Sequence, residues 1–143
     1  MSVPYRYRRL IRFADCDPAG IVYFPRFFDF FHEAVEDWYR EALDIDYWGR
    51  LTQGRIGFPA VRAECDYKRP CRLGEPLELT VLLERLGQRS LTLRFPGAVA
   101  GEPRLEGRIT CAITSLDSHR SIAMPAELRV AYERYHEACR GSA

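Results

Sequence analysis

An aromatic stripe along one long predicted helix constrains the fold most strongly. From Pro25 to Leu43, apolar residues recur at three- and four-residue spacing, which places their side chains on one face of a helix. Charged residues fill the other side, and the stripe consists of Phe24, Phe27, Phe28, Phe31, Ala34, Val35, Trp38 and Ala42. So broad an apolar surface needs a cover. A single curved sheet wrapped around the helix is the simplest one.

The rest of the sequence supplies strands for that sheet. Alternating apolar residues predict one strand before the helix and four after it, at residues 3–13, 58–68, 77–86, 89–95 and 105–116. Glycine and proline mark the turns between the later strands, as between antiparallel neighbours, and the break from Pro96 to Pro103 is one of them. Residues 44–57 are predicted to be a polar connection, and Pro125 to Cys139 a terminal helix. We expect one domain spanning residues 1–143.

Composition excludes several classes of partner. The 143 residues carry 21 Lys and Arg against 20 Asp and Glu, so no bulk charge favours nucleic acid or an anionic membrane surface. The five cysteines are scattered without CxxC spacing, which is typical of reduced thiols in a cytoplasmic protein. No signal peptide or apolar run of about 20 residues is present. We expect a cytoplasmic protein without nucleic-acid or membrane partners.

Asp17 is the first candidate for chemistry. It precedes the turn-forming Pro18 and Gly20, next to apolar residues at the start of the predicted helix. A carboxylate walled by apolar groups can act as a base or a nucleophile. Alternatively, Asp15 and Asp17 only cap the loop or the helix, and spacing alone favours this reading. Asp15 is predicted to organise the loop.

The backbone amides of Tyr23 and Phe24 are the companion candidates. Amides at a helix start lack intrahelical partners and can polarise a carbonyl oxygen on which negative charge develops. The alternative is an ordinary helix start satisfied by water.

Other chemistry has weaker support. His32, His119 and His136 show no zinc-site spacing, and the aspartates flanking Cys16 disfavour its thiolate. Serine-hydrolase and nucleotide-binding motifs are missing from the sequence. Two groups of residues could bind phosphates: Arg85, Arg89 and Ser90 form one, and Lys68, Arg69 and Arg72 form the other. Exposed hairpin ends are the commoner explanation for such residues.

The segment DCDPAGIVYFPRFF, from Asp15 to Phe28, resembles the hotdog-fold acyl-CoA thioesterases of the 4-hydroxybenzoyl-CoA thioesterase type. The order of elements fits over nearly the whole chain, and DSHRSIAMPAEL resembles the last turn of that family. The resemblance implies an α+β hotdog fold, with a five-stranded antiparallel sheet wrapped around one long central helix and a short C-terminal helix. It also implies that Asp17 is the catalytic carboxylate and that the amides at Tyr23 and Phe24 polarise the thioester carbonyl.

The resemblance further implies a dimer with sheets joined edge to edge, often paired into a homotetramer, and an acyl site at the subunit interface. The substrate-binding set expected on this basis is Pro18, Gly20, Val22, Phe27, Arg85, Arg89 and Ser90. Many relatives have a histidine soon after the tyrosine of this motif, where this chain has Phe24 or Pro25. A mechanism based on the aspartate alone is therefore favoured.

We thus expect hydrolysis of an aromatic acyl-CoA, such as benzoyl- or 4-hydroxybenzoyl-CoA, to the free acid and CoA. Tyr23, Phe24, Phe27 and Phe28 could line a flat pocket for the ring. Asp17 acts as nucleophile or as base, with no metal and no cofactor, since CoA is part of the substrate. The alternatives are a short-chain aliphatic acyl-CoA or acyl-carrier-protein thioesterase, and a non-catalytic acyl-CoA binding module.

Overall fold

A five-stranded antiparallel sheet curves around one long helix in the computed structural model, which describes residues 3–141. The strands lie in the order β1-β4-β5-β6-β3, and a separate two-stranded ladder joins β2 to β7. The elements are β1 (Tyr5–Leu10), α1 (Arg26–Glu41), α2 (Tyr47–Thr52), β2 (Ile56–Gly57), β3 (Ala60–Tyr67), β4 (Pro76–Leu86), β5 (Ser90–Val99), β6 (Glu102–Ala112), β7 (Thr114–Ser115) and α3 (Ala126–Gly141). The predicted sheet around a central helix is confirmed. The C-terminal helix α3 is not short, as was expected, but as long as α1, at 16 residues each.

The aromatic face of α1 fills the space inside the sheet. Phe30, Phe31 and Trp38 are fully buried, and the Phe31 ring stacks on Phe95 of β5 with 4.9 Å between ring centroids. Gly107 of β6 makes room for this stack, because a Cβ at that position would lie 2.3 Å from the Phe31 ring. The helix therefore packs closely on two neighbouring strands of the sheet, β5 and β6.

The predicted stripe differs from the buried face at its start. Phe24 is 61% exposed, because the helix begins only at Arg26 and Phe24 lies in the preceding turn. Phe28 is half-buried, whereas Phe30 and Tyr39 belong to the core. The rings before and beside the helix start are thus available to line a surface groove.

The predicted break from Pro96 to Pro103 was wrong. β5 continues through Pro96 and Gly97 to Val99, with a register shift between Gly97 and Ala98. Gly97 permits close packing there, since a Cβ would lie 2.9 Å from the Leu105 side chain. The turn itself is confined to residues 100–101, where both φ angles are positive.

Residues 44–57 also hold more structure than the predicted connection. Asp46 caps α2 by accepting a hydrogen bond from the Gly49 amide at 3.1 Å. Tyr47 of α2 then packs on Tyr39 of α1, with ring centroids 4.9 Å apart. This short helix closes one side of a cavity next to α1.

The edge strand β3 has an open side. It pairs with β6 on one side only, and its residues are exposed or half-buried along the whole length. Val61 is 64% exposed, at the point where the register shifts between Ala60 and Arg62. Within residues 3–141, no helix is long and apolar enough to cross a membrane.

Candidate active site

The candidate site is built on a small backbone ladder between β1 and α1. The Asp17 amide donates to the Ile21 carbonyl at 3.0 Å, and the Tyr23 amide donates to the Asp15 carbonyl at 2.9 Å. Gly20 closes the turn between them with φ +79°, a conformation that disfavours side chains. The ladder sets residues 15–17 beside residues 21–23.

Asp17 lies half-buried in this turn. Its Oδ1 accepts a hydrogen bond from the Ala19 amide at 2.8 Å, so the carboxylate does cap its own turn, as the alternative reading expected. Among the described residues, no donor contacts Oδ2. Val22 is buried, whereas Pro18 and Gly20 are exposed. The turn therefore uses one oxygen of the Asp17 carboxylate and leaves the other unbonded within the described residues.

The expected pair of amide donors is reduced to one. The Tyr23 amide already donates to the Asp15 carbonyl at 2.9 Å, so in this structure it is not available to polarise a substrate carbonyl. The amides of Arg26, Phe27 and Phe28 donate to carbonyls three residues earlier. Within residues 23–28, Phe24 carries the one backbone N–H for which the structure shows no acceptor.

A groove of about 330 Å³ lies against Phe24 and Phe27. Tyr67, at the end of β3, donates its hydroxyl hydrogen to the Phe24 carbonyl at 3.2 Å and lies 5.6 Å from the Phe27 ring. Val22, Lys68 and Arg69 also line the groove. Sequence reasoning did not select Tyr67, since nothing in its local pattern connects β3 with the helix start.

An apolar cavity of about 400 Å³ lies farther along the same strand. Its walls are side chains of α1, α2 and the inner sheet face, including Phe28, Tyr39 and Tyr47, and it reaches Ala60 and Ala63 of β3. His32 also borders it, with Nε2 3.5 Å from Glu36 Oε1. The cavity and the groove thus meet the open strand near its two opposite ends.

Within one chain, Arg85, Arg89 and Ser90 lie far from Asp17. β4 starts at Pro76, which pairs with Leu10 beside the Asp17 loop, and ends at Leu86. Its 11 residues span about 30 Å. Arg89 donates to the Ser121 carbonyl at 2.9 Å. One chain therefore does not bring the expected phosphate-binding residues to the carboxylate.

Asp15 is the most deeply buried charge of the loop, at 1% exposure. Its carboxylate accepts hydrogen bonds from Arg9 Nη1 at 2.5 Å, Arg26 Nη2 at 2.7 Å and the Arg12 amide at 2.8 Å. Burial alone would raise its pKa, but the bonds from Arg9, Arg26 and Arg12 outweigh burial and lower the pKa to about 2. Asp15 is therefore ionised at neutral pH and anchors the loop, as expected of a loop organiser.

This anchoring predicts a specific loss of stability in acid. The folded-state pKa lies below the ordinary value of 3.8, so the stabilisation is complete above about pH 4 and is lost as pH falls towards 2. It amounts to about 2 kcal/mol. Urea unfolding across this pH range should show that Asp15→Asn lacks this part of the acid dependence. Asp117→Asn, at an exposed position, should keep it; equal slopes in all three proteins would contradict the assignment.

Thiol and metal chemistry are the other candidates in this region. Burial and the flanking charges of Asp15 and Asp17 raise the pKa of the Cys16 thiol, which works against a nucleophilic thiolate. Within residues 3–141, no group of three or more His, Cys, Asp or Glu side chains is arranged to hold a metal ion.

Comparison with known proteins identifies relatives of this chain. A 1,4-dihydroxy-2-naphthoyl-CoA hydrolase from Nostoc punctiforme is 32% identical over 67% of this chain and 64% of its own length, so the match spans less than two thirds of that relative. A solved thioesterase-superfamily structure from Jannaschia sp. CCS1 is 29% identical, with TM-score 0.86 over 94% of both chains. A gentisyl-coenzyme A thioesterase structure is 25% identical, with TM-score 0.81 over 90% of this chain and 99% of that one. The predicted hotdog fold is confirmed, and because residues 11–132 match the thioesterase-like superfamily, this chain belongs to that superfamily.

Proposed function

We propose that this protein hydrolyses the thioester bond of an aromatic acyl-CoA to the free acid and CoA. The observation that carries the proposal is the ladder that sets Asp17, with one carboxylate oxygen unbonded within the described residues, beside residues 21–23, which lead directly to the free amide of Phe24. A thioester carbonyl that accepts the Phe24 N–H is polarised as charge builds on its oxygen. Asp17 then attacks the carbonyl carbon, or removes a proton from the attacking water. In the first route the C–S bond breaks, the thiolate of CoA leaves, and the acyl group stays on Asp17 as a mixed anhydride, which water then hydrolyses to the free acid and the restored carboxylate. In the second route water adds to the carbonyl carbon, the C–S bond of the tetrahedral intermediate breaks, and the proton held by Asp17 passes to the leaving thiolate, directly or through solvent.

The apolar cavity supports an aromatic acyl group. Its volume of about 400 Å³ falls in the range of about 300–1,000 Å³ that is usual for small-molecule sites. The rings of Phe28, Tyr39 and Tyr47 provide flat walls. The Nostoc relative and the gentisyl-coenzyme A thioesterase are both named for aromatic substrates. Benzoyl and 4-hydroxybenzoyl groups, which the resemblance implies, are smaller members of the same class.

We further propose that two copies of the chain form each complete site. If β3 pairs antiparallel with itself about a twofold axis through its middle, the Ala60 end of one copy lies opposite the Tyr67 end of the other. The cavity of one copy then adjoins the Phe24 groove of the other. The same pairing carries Arg85, Arg89 and Ser90 of one copy towards Asp17 of the other, where they could bind CoA phosphates. Val61 on β3 is an exposed apolar side chain, and pairing of this edge would cover it, which supports the proposed contact. Two such dimers would form a tetramer.

All five cysteines are free, which supports a cytoplasmic location. A panel of acyl-CoA esters, followed by release of free thiol, tests the activity. We expect kcat/KM for naphthoyl, benzoyl and hydroxybenzoyl esters to exceed that for acetyl-CoA and butanoyl-CoA by about tenfold or more. Burial of an aromatic ring in the cavity adds apolar contact that a short acyl chain lacks. Comparable rates with short aliphatic or carrier-protein esters would contradict the aromatic assignment. Tight acyl-CoA binding without thiol release would favour the non-catalytic binding module.

A further inference from the structure

We propose that Asp15 is a positioning residue that fixes both reacting halves of the site through a buried ion network. The inference deepens the proposed function and rests on it. Asp15 touches the site through its backbone as well as its side chain: its carbonyl holds the Tyr23 amide at 2.9 Å, and Tyr23 directly precedes Phe24. Asp17 follows two residues later in the same ladder. A shift of Asp15 therefore moves the carboxylate and the amide donor relative to each other.

The side chain of Asp15 ties this ladder to the two neighbouring elements. Arg9 of β1 donates to Asp15 and also, through Nε, to Glu33 of α1 at 2.8 Å. The Arg9 guanidinium lies 4.1 Å above the Phe30 ring, in the core face of α1. Tyr7 donates to the same Glu33 oxygen at 2.8 Å. On the β1 side of the network, Arg9 is therefore held by contacts to Asp15, Glu33 and Phe30.

Arg26 provides the second tie, at the start of α1. Its Nη2 donates to Asp15 at 2.7 Å and its Nη1 to Asp29 at 2.8 Å. The Arg26 amide in turn donates to the Tyr23 carbonyl at 2.8 Å. The helix start and the segment that carries the Phe24 amide thus share contacts with one buried carboxylate. Two cations balance it together with a backbone amide, so its burial is compensated.

Such positioning matters because small displacements are costly in catalysis. A misplacement of about 1 Å can lower a rate by about 100-fold. Other buried networks in this chain stabilise without reaching the site, as does the hydroxyl of Tyr135, which accepts from the Tyr5 amide and donates to the Val81 carbonyl. Comparison of Asp15 with Tyr135 can therefore separate a positioning role from general stability.

Asp15→Asn tests the inference in the full-length protein. Asparagine keeps the shape but loses the charge that holds two arginines, so we expect kcat to fall by about 10- to 100-fold while KM stays within about threefold. The Tyr23 amide hydrogen should exchange faster with solvent, as measured by NMR. Tyr135→Phe should lower Tm as well, yet leave kcat within about twofold and Tyr23 exchange unchanged.

Arg26→Gln serves as a second variant if Asp15→Asn folds poorly, since Arg9 then still holds Asp15. It should give a smaller loss of kcat in the same direction, again without a matching change in KM. An unchanged kcat and unchanged Tyr23 exchange in a folded Asp15→Asn or Arg26→Gln protein would overturn the inference. So would a loss of kcat no larger than that of Tyr135→Phe. The exchange measurement does not depend on turnover, so it decides the positioning role even if every thioester proves inert and the proposed function fails.

Discussion

Replacement of Asp17 by asparagine should lower kcat for thioester hydrolysis by about three orders of magnitude, since loss of a positioned base or nucleophile typically costs 10²–10⁴-fold. Asparagine can still accept the Ala19 amide hydrogen that Oδ1 now accepts, so the turn should keep its shape. It has no negative charge with which to attack a carbonyl or take a proton from water. Affinity for a non-hydrolysable thioether analogue of the substrate should therefore stay close to that of the wild type. Thiol release and equilibrium binding of the analogue measure the two effects separately.

Asp117→Asn is the matched control for this experiment. Asp117 is an exposed aspartate whose Oδ1 accepts from Arg55 Nε at 3.1 Å, in a region that contributes no residue to the groove or the cavity. Its substitution should leave kcat within about twofold, as for most surface changes. If Asp17→Asn hydrolysed the substrate as fast as this control, Asp17 would have no part in the chemistry. Loss of analogue binding together with activity would instead indicate a binding role.

Local sequence signals located the loop, because turn residues, helix periodicity and strand alternation all act over a few residues. The alternation of Leu77, Leu79 and Val81 in β4 gives a fully buried row in the structure, as predicted. The turn at Gly20 likewise has the positive φ that its residues suggested. Spacing alone, however, favoured a capping role for Asp17. The structure shows that capping uses one oxygen and leaves the other unbonded within the described residues.

The remaining features depend on which segments the folded chain brings into contact. The choice between the Tyr23 and Phe24 amides is made by the Asp15 carbonyl, which a ladder of only a few residues brings into place. Tyr67 reaches Phe24 only because β3 lies at the sheet edge beside the helix start. Pro96 and Gly97 carry the residue types of a turn, yet sheet packing on both sides extends β5 through them. The local residue pattern does not specify these contacts.

Two inactive variants should restore activity when they are combined in one dimer. Ala63→Trp places a large ring in the cavity wall on β3, whereas Asp17→Asn removes the carboxylate from the loop. If each site takes Asp17 from one copy and the cavity from the other, a heterodimer of the two variants has one intact site and one site with both lesions. Co-expression with two different tags allows its purification. The heterodimer should then release thiol at about half the wild-type rate per dimer, while each homodimer is at least about 100-fold slower.

The outcome depends on whether the cavity serves its own chain or the neighbouring one. Had each chain used its own cavity, both sites of the heterodimer would carry one lesion, and its activity would be as low as that of the homodimers. A chain that stays monomeric in sedimentation experiments would contradict the shared site directly. Val130→Trp adds the same ring at an exposed position of α3 and should leave activity close to the wild type, so the effect of Ala63→Trp can be assigned to the cavity. Regained turnover in the heterodimer would also explain why Arg85, Arg89 and Ser90 lie about 30 Å along the sheet from the Asp17 loop of their own chain. Antiparallel pairing of β3 would bring that end of one copy to the Asp17 loop of the other.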